Sequence, residues 1–251
     1  MNPLIRKDLL TFITLLSAVM IMVSLCLALW LMTDPQVSMI AFVLSVPIAL
    51  YLADFVSGVM HFIIDYVPQK KGVGLDRLYY FEGSKNCKEY IQLRQQVMKK
   101  AGLFQQTSFF FKHHHLVHPK TIAIQPLFNN FLPTLPMSLL FFMLAIIAIA
   151  AQLPDVLILI LILSSLIVFF AQYLHAVTHG RSTPRLIRFL QEYHVLLNRQ
   201  HHAKHHKTPD QYFCFVNGWA DPLVNFIVRW VFRQGWLDRD NLAPPEKEFV
   251  S

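Results

Sequence analysis

The chain has 251 residues, a formal net charge of +7, and a hydrophobic fraction of 55% against 15% charged residues. Soluble domains carry about 25% charged residues, so the composition excludes an ordinary soluble domain and predicts an integral membrane protein. The cysteines, Cys26, Cys87 and Cys214, form no C-x-x-C pair, which argues against a disulfide framework or a cysteine zinc site and fits reduced thiols with a cytosol-facing site.

A short basic start with Arg6 and Lys7 precedes the uncharged run 9–32, which is long enough to cross a hydrocarbon core of about 30 Å. A cleaved signal sequence has a shorter apolar core of about 7–15 residues, so 9–32 is read as the first span. Residues 33–36 form a polar turn, and 37–64 is the second span. It contains Asp54, an acid that is costly inside an apolar span and therefore points to function; a structural hydrogen-bond acceptor is the competing reading. Asp54, His61 and Asp65 are separated by seven and four residues, which puts them on one helical face directed into the bundle.

Residues 66–130 are polar and basic, with Gly72 and Gly74 as breakers. Tyr90, Ile91, Arg94, Val97, Met98 and Ala101 recur at helical spacing in a helix expected over 85–104, a cap packed on the membrane face. The run His113, His114, His115 and His118 follows, and Pro119 ends any helix there. Two apolar runs, 131–153 and 156–174, joined at Pro154 and Asp155, predict a helical hairpin; Pro133 and Pro136 fall in the first turns of the third span, where proline is tolerated. The fourth span leads into His175 and His179. A long helix is expected over 184–206, then a turn at Asn217 and Gly218. Between Leu223 and Trp236, the residues Phe226, Ile227, Trp230 and Phe232 set against Arg229 and Arg233 predict a helix lying in the interface.

The expected fold is all-α: a single domain over 1–251, built as an integral membrane four-span helical bundle with a helical cap drawn from 66–130 and 175–251. Every lysine and arginine lies before Leu9, between Asp65 and Phe131, or after His175. The positive-inside rule then places both termini, the cap and the active site on the cytoplasmic side. The same distribution explains the net charge without nucleic acid.

The segment R-Q-H-H-A-K-H-H at 199–206 carries four imidazoles. On a helix His202 neighbours His205 and His206, and His201 neighbours His205. Three groups echo it: His175 with His179, the run 113–118, and His61 with Asp65. Of the 12 histidines, only His194 stands apart, and incidental histidines compete as a reading at His113 and His201. The topology gathers all these groups at one membrane face. One structural zinc ion is satisfied by about four ligands, and more than twice that number are present, so two metal ions are expected. Imidazoles with a carboxylate and no thiolate suit iron, zinc or copper, and such sites with open positions are typical of non-haem iron that activates oxygen. No H-E-x-x-H is present, so a zinc metalloprotease has no candidate motif.

The segments A-D-F-V-S-G-V-M-H-F-I-I-D (53–65), F-K-H-H-H, H-A-V-T-H, and L-Q-E-Y-H-V-L-L-N-R-Q-H-H-A-K-H-H followed by Y-F-C-F-V-N-G-W together resemble the Kua-type lipid desaturase family. That family includes the plasmanylethanolamine desaturases and the plant plastid enzyme that desaturates palmitate on phosphatidylglycerol. The match runs in order from about residue 50 to 225. It implies two iron ions held by histidines, molecular oxygen, and an external electron donor such as cytochrome b5 or ferredoxin. The implied reaction removes two hydrogens from the alkyl or acyl chain of a membrane lipid, plasmanylethanolamine-type or another phospholipid. Carried onto this sequence, the family's ligand pattern points to His61, Asp65, His114, His115, His175, His179, His202, His205 and His206. Three residues, instead of the family's two, separate His115 from Pro119, and this brings His118 into the metal set. The stretch between Asp65 and His114 is longer than in the family, which enlarges the cap over the site and leaves the substrate open. Two alternatives stand beside this expectation: a lipid hydroxylase with the same di-iron centre, and a membrane metal transporter or sensor. The last would need ionisable residues near the midplane, where only Asp54 lies.

Overall fold

The computed structural model describes residues 3–33, 37–116, 131, 133–180 and 182–247, with side chains from residue 11 onwards. Among these the chain is helical, with no strand. The order is α1 (Pro3–Thr33), α2 (Met39–Tyr66), α3 (Leu75–Tyr79), α4 (Lys88–Lys100), α5 (Leu103–Leu116), α6 (Leu135–Ala150), α7 (Asp155–Thr178), α8 (Arg185–Glu192), α9 (Arg199–Lys207) and α10 (Asp221–Arg233), followed by a 3-10 turn at Arg239–Leu242.

Three helices, Thr11–Thr33 within α1, α2 and α7, are long and apolar enough to cross a membrane. Helix α6 is apolar but has 16 residues, about 24 Å at a rise of 1.5 Å per residue, so it is shorter than the expected span 131–153. It forms the expected hairpin with α7. In lipid a backbone must satisfy its own amides, which makes these apolar runs helical.

Helix α7 is the central element: α2 and α6 pack along it, and α1 packs against α6 and α7. Small side chains permit the close approach, with Ala49, Ala53 and Ser57 on α2 and Ser164, Ser165 and Ala171 on α7 all buried. Ser138 on α6 donates to the carbonyl of Ser165 and Ser165 donates to that of Ser138, both at 2.8 Å. Thr134 Oγ1 donates to the Phe169 carbonyl at 3.0 Å. On the outside, Phe12, Val19, Met22 and Leu29 of α1, Met39, Ile40 and Val43 of α2, and Met143 and Ile147 of α6 are exposed, an apolar belt suited to lipid.

Helix α5, α10 and the 3-10 turn pack on the same end of α2. Phe62 and Tyr66 share a core there with Phe213, Cys214, Val224, Val228 and Leu242. Contact is close enough that a Cβ on Gly58 of α2 would lie 2.6 Å from Cys214 Sγ. Beyond it, α3, α4 and α5 form a small cap whose core is Val73, Leu78, Tyr90, Val97 and Phe109.

Two helices differ from expectation. The one expected over 85–104 starts at Lys88, where Cys87 Sγ accepts from the Tyr90 amide, and stops at the extended residue Ala101. Gly102 then separates it from α5, so His113, His114 and His115 fall in the last turn of α5. The helix expected over 184–206 is two helices, α8 and α9. Between them His194 takes a left-handed φ of 57°, and Leu197 donates its amide to the Val216 carbonyl at 2.7 Å. Asn198 then caps α9 by accepting the His201 amide at 2.8 Å, as Asn does well at a helix start. The expectations for 33–36 fall mostly, and that for His118 wholly, outside the described residues.

Candidate metal centre

Four helix segments deliver the expected residues to one place. The last turns of α2 bring His61 and Asp65, the last turn of α5 brings His114 and His115, and the end of α7 brings His175 with His179 as its C-cap. Helix α9 brings His202, His205 and His206. The i, i+4 spacings His61/Asp65, His175/His179 and His202/His206 therefore act as local chelates.

These side chains sort into two four-member groups. In one, His114, His175, His179 and His202 place a ring nitrogen each within 4.8 Å of one another; in the other, ring nitrogens of His61, His115 and His205 and a carboxylate oxygen of Asp65 lie equally close. His206 lies with His114 and His115 between them. In the first group the Nε2 atoms of His175 and His202 are 3.0 Å apart, those of His175 and His179 3.2 Å, and those of His202 and His179 2.9 Å. His206 Nε2 adds separations of 3.4 Å to His179 and 3.2 Å to His202. With metal–nitrogen bonds of about 2.0–2.1 Å, two ligands of one ion stand about 2.9 Å apart at a right angle and about 3.4 Å apart at the tetrahedral angle. The observed spacings fall in that interval. In the second group Asp65 Oδ2 faces the Nε2 atoms of His61 at 3.2 Å, His115 at 3.1 Å and His205 at 3.6 Å.

Protons do not satisfy this arrangement. Asp65 Oδ1 and His114 Nε2 are buried without a hydrogen-bond partner among the described residues, and Asp65 Oδ2 meets only the Nε2 atoms of His61, His115 and His205, a costly state unless something else occupies the space. The far nitrogens of the rings explain why the near ones face inward. His61 Nδ1 donates to the Phe213 carbonyl at 2.8 Å and His205 Nδ1 to the Gln211 carbonyl at 2.6 Å. His114 Nδ1 donates to the Phe111 carbonyl, and His175 Nδ1 to Gln172 Oε1 at 3.2 Å. Such bonds fix the tautomer and direct the Nε2 lone pair to a metal. Burial is the main cause that pushes His179 down to about 3, His205 to about 4 and His206 to about 2. It also holds His114 and His202 well below the usual histidine range. All five are neutral at physiological pH, the form that ligates metal.

Around the site lies a supporting shell that local sequence patterns do not reveal. Asp54, fully buried, accepts four amides: Val216, Asn217 and Gly218 on Oδ1 at 3.0, 2.9 and 3.2 Å, and Ala220 on Oδ2 at 2.9 Å. It is the hydrogen-bond acceptor of the competing reading, and it clasps the loop that supplies the Phe213 carbonyl to His61. Asp221 accepts from Cys214 N at 3.0 Å and from His201 Nε2 at 2.7 Å; its signal was the A-D-P at the start of α10, where an acid suits the helix N-terminus. Lys112 is 1% exposed, and its ammonium donates to the Val67 and Asn241 carbonyls, both at 2.6 Å. It ties α5 to the end of α2 and to the 3-10 turn. Burial pushes this amine down to about 8.

Among the described residues, three histidines do not join the cluster. His113 Nε2 lies 2.7 Å from Lys85 Nζ, and its ring packs on Tyr79 and Phe109. His201 pairs with Asp221, and His194 neighbours Asn198 on the surface.

Residues 99–234, more than half of the chain, match the family profile of the lipid desaturase domain. Among curated proteins, plasmanylethanolamine desaturase 1 of Mus musculus is 35% identical over 63 residues, 24% of this chain and 23% of that protein. Plasmanylethanolamine desaturase of Myxococcus xanthus is 35% identical over 54 residues, 21% of this chain and 19% of its own. The aligned region thus spans less than a quarter of either relative's length. No solved structure matches.

Proposed function

The chain belongs to the lipid desaturase family, and on that premise we propose that it is a membrane di-iron desaturase that introduces a double bond into a lipid alkyl or acyl chain. The observation that carries this reading is the pair of four-member groups, seven imidazoles and one carboxylate, with His206 between them. His114, His175, His179, His202 and His206 would hold one iron, and His61, Asp65, His115 and His205 the other; His118 belongs to the proposal as a further ligand. When bound, the iron pair supplies oxygen activation: oxygen, two electrons and two protons become two waters as the lipid's CH2–CH2 unit loses two hydrogens and becomes CH=CH. The protein's part is to keep nine donors converged, to hold the far nitrogens of His61, His114, His175 and His205 in hydrogen bonds, and to exclude water by the packing of Phe111, Phe213 and Phe215 against His61. Asp54 argues against the transporter alternative, because its oxygens are engaged by four loop amides and do not line a path.

The substrate proposed is a plasmanylethanolamine-type or other phospholipid, in line with what the relatives' names say of those proteins. The proposed topology is four spans, with α6 as the third, and the termini and metal centre on the cytoplasmic side. Oxygen and an electron donor of the cytochrome b5 or ferredoxin kind complete the reaction. Protein purified in detergent should carry about two irons per chain, and cells with the gene should contain a desaturated lipid absent from cells without it. A hydroxylated lipid in place of the alkene would replace the desaturase with the hydroxylase, and iron-free protein would overturn both. His118→Ala should lose metal and product to the same degree as His115→Ala.

A further inference from the structure

Helices α2 and α6 both lie along α7 but make few contacts with each other. Between them runs a narrow crevice walled by Val56 and Met60 of α2 and Met137 of α6, floored by Val168 and Ala171 of α7, and ended by His61 and Phe111. His61 is itself a member of the second four-member group, so the crevice leads from between membrane helices directly to the cluster.

Its chemistry selects an occupant. No lysine, arginine or carboxylate lines it, so a charged group placed there would be left unpaired, and Gln172, which does line it, spends its carbonyl oxygen on His175 Nδ1 at 3.2 Å. The hydroxyls at its wall are already engaged, Ser57 Oγ with the Asp54 carbonyl at 2.7 Å and Thr134 Oγ1 with the Phe169 carbonyl at 3.0 Å. The crevice is narrow as it stands, and two of its half-buried walls, Met60 and Met137, are unbranched thioethers that change rotamer readily. A slender, flexible, purely apolar body is what fits: a hydrocarbon chain.

We propose that the α2/α6 crevice over α7 holds one hydrocarbon chain of a bilayer lipid against the His61 side of the cluster, with Met60 and Met137 as its movable walls. This rests on the desaturase reading, and it assigns the face from which the substrate chain reaches the metals. Small Ala171 in the floor leaves room for the chain, and Met137 sets the width of the crevice.

The test uses the full-length protein in membranes whose phospholipids carry a photoactivatable diazirine in the chain. Illumination should cross-link Val56, Met60 and Met137 in addition to the outward residues of α1. Met137→Trp, a filling substitution at the rim, should keep the metal content, lose at least tenfold in alkene product, and lose cross-links at Val56 and Met60 while those on α1 persist. Met137→Ala should restore the cross-links and the product. Unchanged cross-links and product in Met137→Trp would overturn the crevice and leave the desaturase reading intact. Cross-links that respond as expected in a wild-type protein that forms no alkene would uphold the crevice and overturn the desaturase reading.

Discussion

Replacing Asp54 by Asn changes one atom and tests whether a buried carboxylate, remote in sequence from the C-terminal loop, holds the metal centre together. With the amide oxygen in the Oδ1 position, the Val216, Asn217 and Gly218 amides keep their acceptor at 3.0, 2.9 and 3.2 Å but lose its charge. The extra strength of hydrogen bonds to a charged acceptor is offset by the cost of burying a fully desolvated carboxylate, so these three contacts change little in sum. The fourth contact, Ala220 N–H on Oδ2 at 2.9 Å, becomes N–H against N–H and orphans a buried amide, at about 1–3 kcal/mol. That loss, about 1–3 kcal/mol, is a sizeable part of the roughly 5–15 kcal/mol by which domains are stable. The loop that loosens carries the Phe213 carbonyl, which orients His61, and Cys214, whose amide is held by Asp221. Thermal unfolding in detergent, read with iron content per chain, is the assay. The midpoint should fall by about 5 °C, and the iron bound by the His61 group should be lost first. A variant with its midpoint within about 2 °C of wild type and its full iron content would refute the argument.

His179→Ala and His205→Ala each remove one nitrogen from a different four-member group and should abolish iron binding and product together, whereas loss of an outer partner costs only about 10–100-fold. His113→Ala and His194→Ala, which lie outside the cluster, should retain full iron content by metal analysis. Lys112→Met removes two charge-assisted bonds, to Val67 and Asn241, and should cost about 3–5 kcal/mol in thermal unfolding, with limited proteolysis appearing near the 3-10 turn. In a background without the native cysteines, Asp34→Cys and Asp155→Cys should be labelled from outside intact cells while cysteine at position 87 is not, because the short turns carry no lysine or arginine; labelling at 87 would overturn the four-span topology.

The helical membrane class of the protein and the candidate members of its cluster are legible in local sequence patterns. Apolar runs long enough for a bilayer and histidines spaced by three and four are local signals, because hydropathy and helical periodicity depend only on neighbours in the chain. Those signals placed α1, α2 and α7 and nominated every member of the two four-member groups. How the imidazoles divide between the groups emerges from the packing, since it depends on how α2, α5, α7 and α9 are rotated against each other, and no local pattern encodes those angles. The packing also decided that α8 and α9 are separate helices, because the break is made by Leu197 pairing with Val216, a partner remote in sequence. The same reason applies to Asp54: its place inside an apolar span announced a purpose, but the purpose is four amides more than 160 residues away. His113 and His114 stand next to each other in the chain with the same side chain, yet one packs against Lys85 and the other faces the cluster, because adjacent residues on a helix point about 100° apart and only the surrounding helices give those directions a meaning.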